Sequence, residues 1–364
     1  RSIGLPIHRL QGQRTYSFGV EAKTFHGSQG FMSHSPKPVC RVGIAGTGSH
    51  MPSKVLTNAD LSDMVDTSDE WIVKRTGMRE RRILEEDRAT SDMASEAAKC
   101  ALENSGIDPK DLDLILVGTV SGDHIFPSTA CLVQRKIGAV NAAAFDLSAA
   151  CSGFLFALTT GKQFVATGRY KRVLVIGAEC LSRILNYEDR SSCILFGDGA
   201  GAAILAPWEE TQQGEILHST MGSDGEGFEM IWIPGGGSKE PISQKVVDEK
   251  LQYMIVHGRE VYKFAVNKMV ELVKHELSLF PGEELGALVP HQVNLRIIES
   301  AIDRLAIPRE KVIVNIDKYG NTSSASIPVA LDEAQRSGKI PKGKLTVFVA
   351  FGAGLAWGSS VIRW

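Results

Sequence analysis

Three short stretches hold the side chains best suited to thioester chemistry. In Asp146-Leu147-Ser148-Ala149-Ala150-Cys151-Ser152-Gly153-Phe154 a thiol follows a run of small residues and opens an apolar stretch. The pattern predicts a strand end, a tight turn, and Cys151 at the start of a helix. There the helix's partial positive charge and free N–H groups lower a thiol pKa and favour thiolate. Pro290-His291-Gln292-Val293-Asn294 places an imidazole at the end of an apolar run, and Gly320-Asn321-Thr322-Ser323-Ser324 places an amide at another helix start. Each alone has a plainer reading: a small buried thiol, a packed histidine, a helix cap. Together, a thiol opposite two neutral hydrogen-bond donors suits a thioester whose enolate oxygen must be held. That chemistry needs no metal, and none of the six cysteines has metal-ligand spacing with histidine or forms a CxxC pair.

The elements that must position these groups are legible in the hydrophobic pattern. Val42–Gly46, Leu112–Val117, Ala143–Leu147 and Val173–Gly177 read as short, nearly continuous apolar strands, and Ser91–Ser105 and the stretch from Cys151 to Ala166 read as helices. Such strands alternating with helices imply sheets buried on both faces, an α/β layered fold. The C-terminal part repeats the plan: helix Val261–Leu277, strand Leu285–Val289, helix Asn294–Leu305, strand Val312–Asn315, helix Ser324–Ser337, strand Leu345–Ala350. Gly168 follows Cys151 by 17 residues, and Gly338 follows Asn321 by 17, each ending a helix before a basic turn and a strand. This puts Cys151 and Asn321 at equivalent places in two copies of one unit, which would bring them towards a common centre.

The expected organisation is an N-terminal half at 39–208 carrying the nucleophile, a glycine-rich, charged surface connection at 209–255, and a C-terminal half at 256–364 carrying His291 and Asn321. Residues 1–38 are basic and acid-poor, with Glu21 the only acid. They read either as an organelle-targeting leader or as an extension upstream of a start at Met32, and they stand outside the fold. With 364 residues and 43% apolar content the chain can bury a large core. A net charge of -2 excludes a general nucleic-acid binder, and no apolar run reaches the ~18 residues of a membrane span. Cysteines this sparse in a chain this long read as free thiols of a reducing compartment.

Six segments in order along 39–364 carry a resemblance to a known family: Thr67–Gly77, Asp146–Phe154, Phe196–Gly201, Pro290–Ile298, Gly320–Ser326 and Phe351–Gly358. The chain resembles β-ketoacyl-[acyl-carrier-protein] synthase III, a family of thiolase-fold condensing enzymes. Phe196-Gly197-Asp198-Gly199-Ala200-Gly201 alone could pass for a phosphate loop, but it lacks the lysine and the helix such a loop needs. The resemblance implies a thiolase-like fold of two pseudo-duplicated βαβαβ halves forming a layered αβαβα core. It implies decarboxylative condensation of an acyl-CoA primer, acetyl-CoA by preference, with malonyl-acyl carrier protein through an acyl-Cys151 intermediate. His291 and Asn321 would hold the enolate, and the N–H groups of Cys151 and Ala353 the oxyanion. Trp71, Arg75 and Arg190 would bind CoA, Phe126 would close the acyl pocket of a homodimer partner, and Arg296 and Arg304 would dock the carrier protein. Asp303 stands where some members have a lysine, which weakens that docking surface. CoA is then a substrate carrier, with no cofactor or metal implied, and the cytoplasm is the expected location, or a plastid if residues 1–38 are a transit peptide.

The alternative is a related thiolase-fold condensing or acyl-transfer enzyme of secondary metabolism. A relative of hydroxymethylglutaryl-CoA synthase would need a glutamate base beside the nucleophile. None flanks Cys151 in its motif, Glu179 being the nearest downstream. A catalytically idle acyl-binding scaffold would have no use for Cys151, His291 and Asn321 together.

Overall fold

The computed structural model describes residues 40–364, so both readings of residues 1–38 lie outside the described residues. Nine strands build two sheets. Val42–His50 (β1), Leu114–Gly118 (β2), Ala143–Leu147 (β3), Val173–Glu179 (β4) and Gly199–Pro207 (β5) form the first, in the order β1-β5-β4-β2-β3. Glu215–Ser223 (β6), Leu285–Pro290 (β7), Leu345–Gly352 (β8) and Ala356–Arg363 (β9) form the second, in the order β7-β8-β9-β6. Each sheet contains a matching parallel pair (β2 with β4, β7 with β8), and the pairings of β4 with β5 and of β8 with β9 are antiparallel. The two topologies superimpose strand for strand, β6-β9-β8-β7 matching β1-β5-β4-β2.

The layers follow from which faces are apolar. β2 and β4 are buried along their whole lengths, so both faces must be covered. Helices Thr90–Ser105 (α1) and Thr129–Ile137 (α2) cover the outer face of the first sheet, where Met93, Ala97 and Ala101 meet Ile115 and Ile176. Helices Gly153–Ala166 (α3) and Ser326–Arg336 (α6) lie between the sheets, where Leu155, Leu158 and Ile327 share one core with Leu116, Val175, Val289 and Phe348. Helices Gly258–Ser278 (α4) and Leu295–Leu305 (α5) cover the outer face of the second sheet through Met269, Val273 and Ile298. The result is the expected αβαβα stack.

Three local expectations need correction. Residues 209–255 contain β6, an edge strand paired along its length with β9. The surrounding glycines and charges obscured it, and half-exposed residues such as Ser219 and Thr220 do not announce a core strand. The predicted strand Val312–Asn315 is reduced to one bridge, Leu288 to Val312. Beyond it the amide of Gln292 takes over the ladder, donating to Ile313 O at 3.1 Å and accepting from Asn315 N at 3.1 Å. The third concerns the repeat. α6 is 11 residues long against 14 for α3, a difference of three. Both helices end two residues before their glycine, and Gly168 and Gly338 share φ +68°. Each helix is preceded by a single 3-10 turn, Ala150–Ser152 or Ser323–Ala325, whose first residue has positive φ (Ala150 45°, Ser323 49°). The counterpart of Cys151 is therefore Ser324, and Asn321 lies one turn earlier. The two turns meet: a Cβ on Gly153, at the end of the first, would lie 3.2 Å from Ser324 Cβ, and a Cβ on Gly177 of β4 would lie 2.2 Å from Ser324 O, so only glycine permits the latter contact.

Outside these two sheets, the strand Glu80–Ile83, paired antiparallel with Lys54–Thr57, carries Arg81, whose side chain is fully buried. It donates to Asn58 Oδ1 at 2.7 Å and to the carbonyls of Leu56 at 3.4 Å and Ile194 at 2.5 Å. Burial lowers its pKa to about 10, so it stays charged at neutral pH. Arg81→Ala leaves buried acceptors without a donor and opens a cavity. We expect a loss of about 3–5 kcal/mol in denaturant unfolding, with a loss under about 1 kcal/mol contradicting that account.

Candidate active site

Cys151 sits in the turn between β3 and α3, and the β8–β9 hairpin presses on it from the second half. Ser152 Oγ donates to Ala356 O at 3.1 Å. A Cβ on Gly352 would stand 2.8 Å from Cys151 N, so a side chain there would drive the hairpin off the nucleophile. Ala353 follows at the tip of the hairpin and lines the same cavity as Cys151. His291 extends β7, its N–H donating to Val349 O at 2.8 Å. Its imidazole is fully buried, Nδ1 lies 2.7 Å from Ser326 Oγ, and Phe351 packs edge-on with centroids 6.0 Å apart.

Asn321 is held by the glycine-rich motif. Its N–H donates to Leu195 O at 2.8 Å and its carbonyl accepts from Gly197 N at 3.0 Å. Asp198 of that motif binds Leu84 N and Ser182 N, and Gly199 begins a strand rather than a helix. The motif thus has a positioning role and none of the geometry of a phosphate loop. Asn321 Oδ1 accepts from Ser323 N at 2.8 Å, which turns the amide so that Nδ2 is the group left to donate.

Cys151, His291, Asn321 and Ala353 line one cavity of about 350 Å³. Its other walls are mostly apolar and include Leu181, Ile231, Met254, Val261, Phe264 and Leu355. Burial keeps His291 neutral, taking its pKa down to about 3. The same effect overturns the expected thiolate. Burial raises Cys151 from 9.0 to about 12; the Ser323 hydroxyl works against the rise and the charge of Glu179 adds to it. A helix N-terminus returns at most about 2 kcal/mol, roughly one and a half pH units. Burial outweighs that contribution and favours the thiol over the thiolate at Cys151. Its alkylation by iodoacetamide, followed on the Cys151 peptide, should therefore rise about tenfold per pH unit from pH 7 to 10. A plateau below pH 8 would mean a resting thiolate.

Glu179 is a residue that sequence reasoning placed outside the site. Fully buried at the end of β4, it accepts from Val120 N, Ser121 N, and the hydroxyls of Thr119, Ser121 and Ser323. Those bonds occupy the carboxylate and tie the loop after β2 to the turn at Ser323. A lone acid at the end of a wholly apolar strand was the available signal. Ser326 and Phe351, which hold the imidazole, gave no signal beyond lying in the matched segments.

Away from the cavity floor, Trp71 lies on helix Asp69–Thr76, capped by Ser68. The guanidinium carbons of Arg75 and Arg190 stack on its ring at 4.5 and 4.7 Å from the centroid. Asn294, which lines the cavity, donates to Arg75 O at 3.1 Å and joins this cluster to the site. Phe126 is 84% exposed on the loop after β2 and does not line this cavity. Arg296 and Arg304 are exposed on α5, Arg304 donating to Asn267 Oδ1 at 2.9 Å. Among the described residues no group of His, Cys, Asp and Glu is placed to hold a metal, and no helix is long and apolar enough to cross a membrane.

A layered, internally duplicated α/β core with a thiol, an imidazole and an amide on one apolar cavity defines a thiolase-fold condensing enzyme. Residues 145–225 match the family model described as 3-oxoacyl-[acyl-carrier-protein (ACP)] synthase III, and residues 279–364 match that of its C-terminal part. The chain is 54% identical over 326 residues to β-ketoacyl-[acyl-carrier-protein] synthase III of Caldanaerobacter subterraneus subsp. tengcongensis, covering 88% of this chain and 97% of the relative. The solved 3-oxoacyl-[acyl-carrier-protein] synthase III of Aquifex aeolicus is 45% identical, with a TM-score of 0.82 over 89% of this chain and all of that one. The priming β-ketosynthase of the R1128 polyketide pathway is 34% identical, with a TM-score of 0.82 over 90% of this chain and 98% of that one. The chain belongs to the β-ketoacyl-[acyl-carrier-protein] synthase III family of acyl-transferring condensing enzymes.

Proposed function

We propose that the protein initiates fatty-acid synthesis, condensing an acyl-CoA primer, acetyl-CoA by preference, with malonyl-acyl carrier protein. The observation that carries this is the single cavity on which Cys151 faces His291 and Asn321. Cys151 Sγ attacks the acyl-CoA carbonyl, the N–H groups of Cys151 and Ala353 hold the oxyanion, and the CoA thiol leaves with the proton. The malonyl thioester then loses CO₂. The electron pair of the broken bond becomes an enolate, whose oxygen accepts from His291 Nε2–H and Asn321 Nδ2–H. The carbanion attacks the acyl-Cys151 carbonyl, and the sulfur leaves and takes up a proton. Two neutral donors suit this step because each is worth about 10²–10³ in rate.

Trp71, Arg75 and Arg190 bind CoA in this reading, supported by their stacked arrangement next to Asn294. An aromatic face with guanidinium planes suits a purine and its phosphates. Arg296 and Arg304 offer the acidic carrier protein a basic surface on α5. The chain works as a homodimer in which Phe126 closes the partner's acyl pocket. Its support is β3, a sheet-edge strand paired only with β2 and open along its outer edge among the described residues, with Phe145 exposed on it and Ile125 and Phe126 exposed on the loop after β2. The chain divides into halves at 39–208 and 256–364, with β6 of the joining segment belonging to the second sheet. Its six free cysteines suit a cytoplasmic enzyme. No cofactor or metal enters the cycle.

The test is a panel of acyl-CoAs, followed by digestion and mass measurement of the Cys151 peptide. Acyl mass on Cys151 that discharges with CO₂ release on adding malonyl-acyl carrier protein is expected. No acyl mass from any primer would sink the reading. Likeness to a priming β-ketosynthase favours one second reading, a condensing enzyme of secondary metabolism, which would load a longer or branched primer in preference to acetyl.

A further inference from the structure

His291 has to present a particular proton, and a neighbouring hydroxyl decides whether it does. A neutral imidazole carries one ring proton, so one nitrogen donates and the other accepts. Nε2 is buried without a partner among the described residues, on a side chain that lines the cavity with Cys151 and Asn321. Nδ1 faces Ser326 Oγ at 2.7 Å. Ser326 is 2% exposed, at the first position of α6, and Nδ1 is its hydroxyl's one side-chain or backbone hydrogen-bond partner among the described residues.

Two arrangements fit that distance. If Nδ1–H donated to Ser326, the serine's own proton would be buried with no acceptor, which interiors avoid. The Nε2 lone pair would then face the cavity and repel an enolate oxygen. If Ser326 donates to Nδ1, the hydroxyl proton is satisfied and the ring proton sits on Nε2, towards the cavity. We propose that Ser326 is a positioning residue whose hydroxyl donates to Nδ1 and locks His291 in the Nε2–H tautomer that the decarboxylation step requires. This rests on the reading of His291 as an enolate donor. The same lock leaves His291 without a lone pair towards Cys151, so acyl loading does not use His291 as a base and is independent of Ser326.

The first experiment reads the tautomer without reference to activity. In protein labelled with ¹⁵N-histidine at pH 7, the long-range ¹⁵N–¹H spectrum of His291, assigned by its loss in His291→Ala, should show a protonated Nε2 and a bare Nδ1. A protonated Nδ1 in the wild-type enzyme overturns the proposal. In Ser326→Ala the Nε2–H preference should fall, with malonyl decarboxylation slowed roughly 10–100-fold. Acyl loading on Cys151 should stay within about twofold, because the donated bond serves only the second step. Ser326→Thr keeps the hydroxyl and should restore the tautomer and most of the rate. A Ser326→Ala enzyme with both tautomer and decarboxylation intact removes Ser326 from the role. If instead His291→Ala decarboxylates normally, the enolate reading fails, and the tautomer assignment stands or falls on the wild-type spectrum alone.

Discussion

Cys151→Ala is expected to take up no acyl group from any acyl-CoA and to lose condensation by roughly 10⁴-fold or more, the scale on which removing a covalent nucleophile acts. The same variant should still release CO₂ from malonyl-acyl carrier protein. His291 is fixed by β7 and Ser326, and Asn321 by Leu195 and Gly197, so neither donor depends on the thiol for its place. Cys151→Ser should share the defect, since a buried hydroxyl is a weaker nucleophile than a thiol whose own pKa is already raised to about 12. Intact-protein mass after incubation with acyl-CoA, read beside a CO₂ assay, separates the two activities. Acyl mass retained in Cys151→Ala on another of the five cysteines would place the nucleophile elsewhere.

The reciprocal pattern is expected of the two donors. His291→Ala and Asn321→Ala should each load acyl groups at close to the normal rate and lose malonyl decarboxylation by about 10²–10³-fold. The double variant should lose less than the product of the two, because both donors act on one oxygen. Asn321→Asp is a sharper probe. Its carboxylate would still accept from Ser323 N, as Oδ1 does at 2.8 Å, but would turn an acceptor towards the enolate. It should be at least as inactive as Asn321→Ala. Pre-steady-state measurement of acyl-enzyme and CO₂ gives both rates, and a variant that fails at loading while decarboxylating normally would reverse the assignment.

The layered fold was legible because its parallel strands are apolar on both faces. Val173–Gly177 and Leu285–Val289 could be read within two residues of their ends for that reason. Edge elements were not. β6 alternates weakly, and Val312–Asn315 looks like a strand but yields to the side chain of Gln292, a substitution that no periodicity records. The three reacting groups stood out by type and position. Their supporting groups did not, since Ser326 and Ser323 sit in a run of small polar residues that reads equally well as a cap. The ionisation of Cys151 was misjudged for a related reason: sequence displays the helix start, whereas the burial that raises the thiol comes from tertiary packing, with Gly352 of the β8–β9 hairpin against it from 200 residues away. The repeat was found by its glycines, and its register slipped by the three residues that α6 lacks.

Ser324, the true counterpart of Cys151, has a consequence for stoichiometry. Internal symmetry doubles whatever chemistry the ancestral half carried, unless one copy is silenced. Here the second copy has a hydroxyl in place of the thiol, 1% exposed and committed to Gly118 O at 2.8 Å. Titration with labelled primer should therefore saturate at one acyl group per chain, although the backbone offers two matching turns.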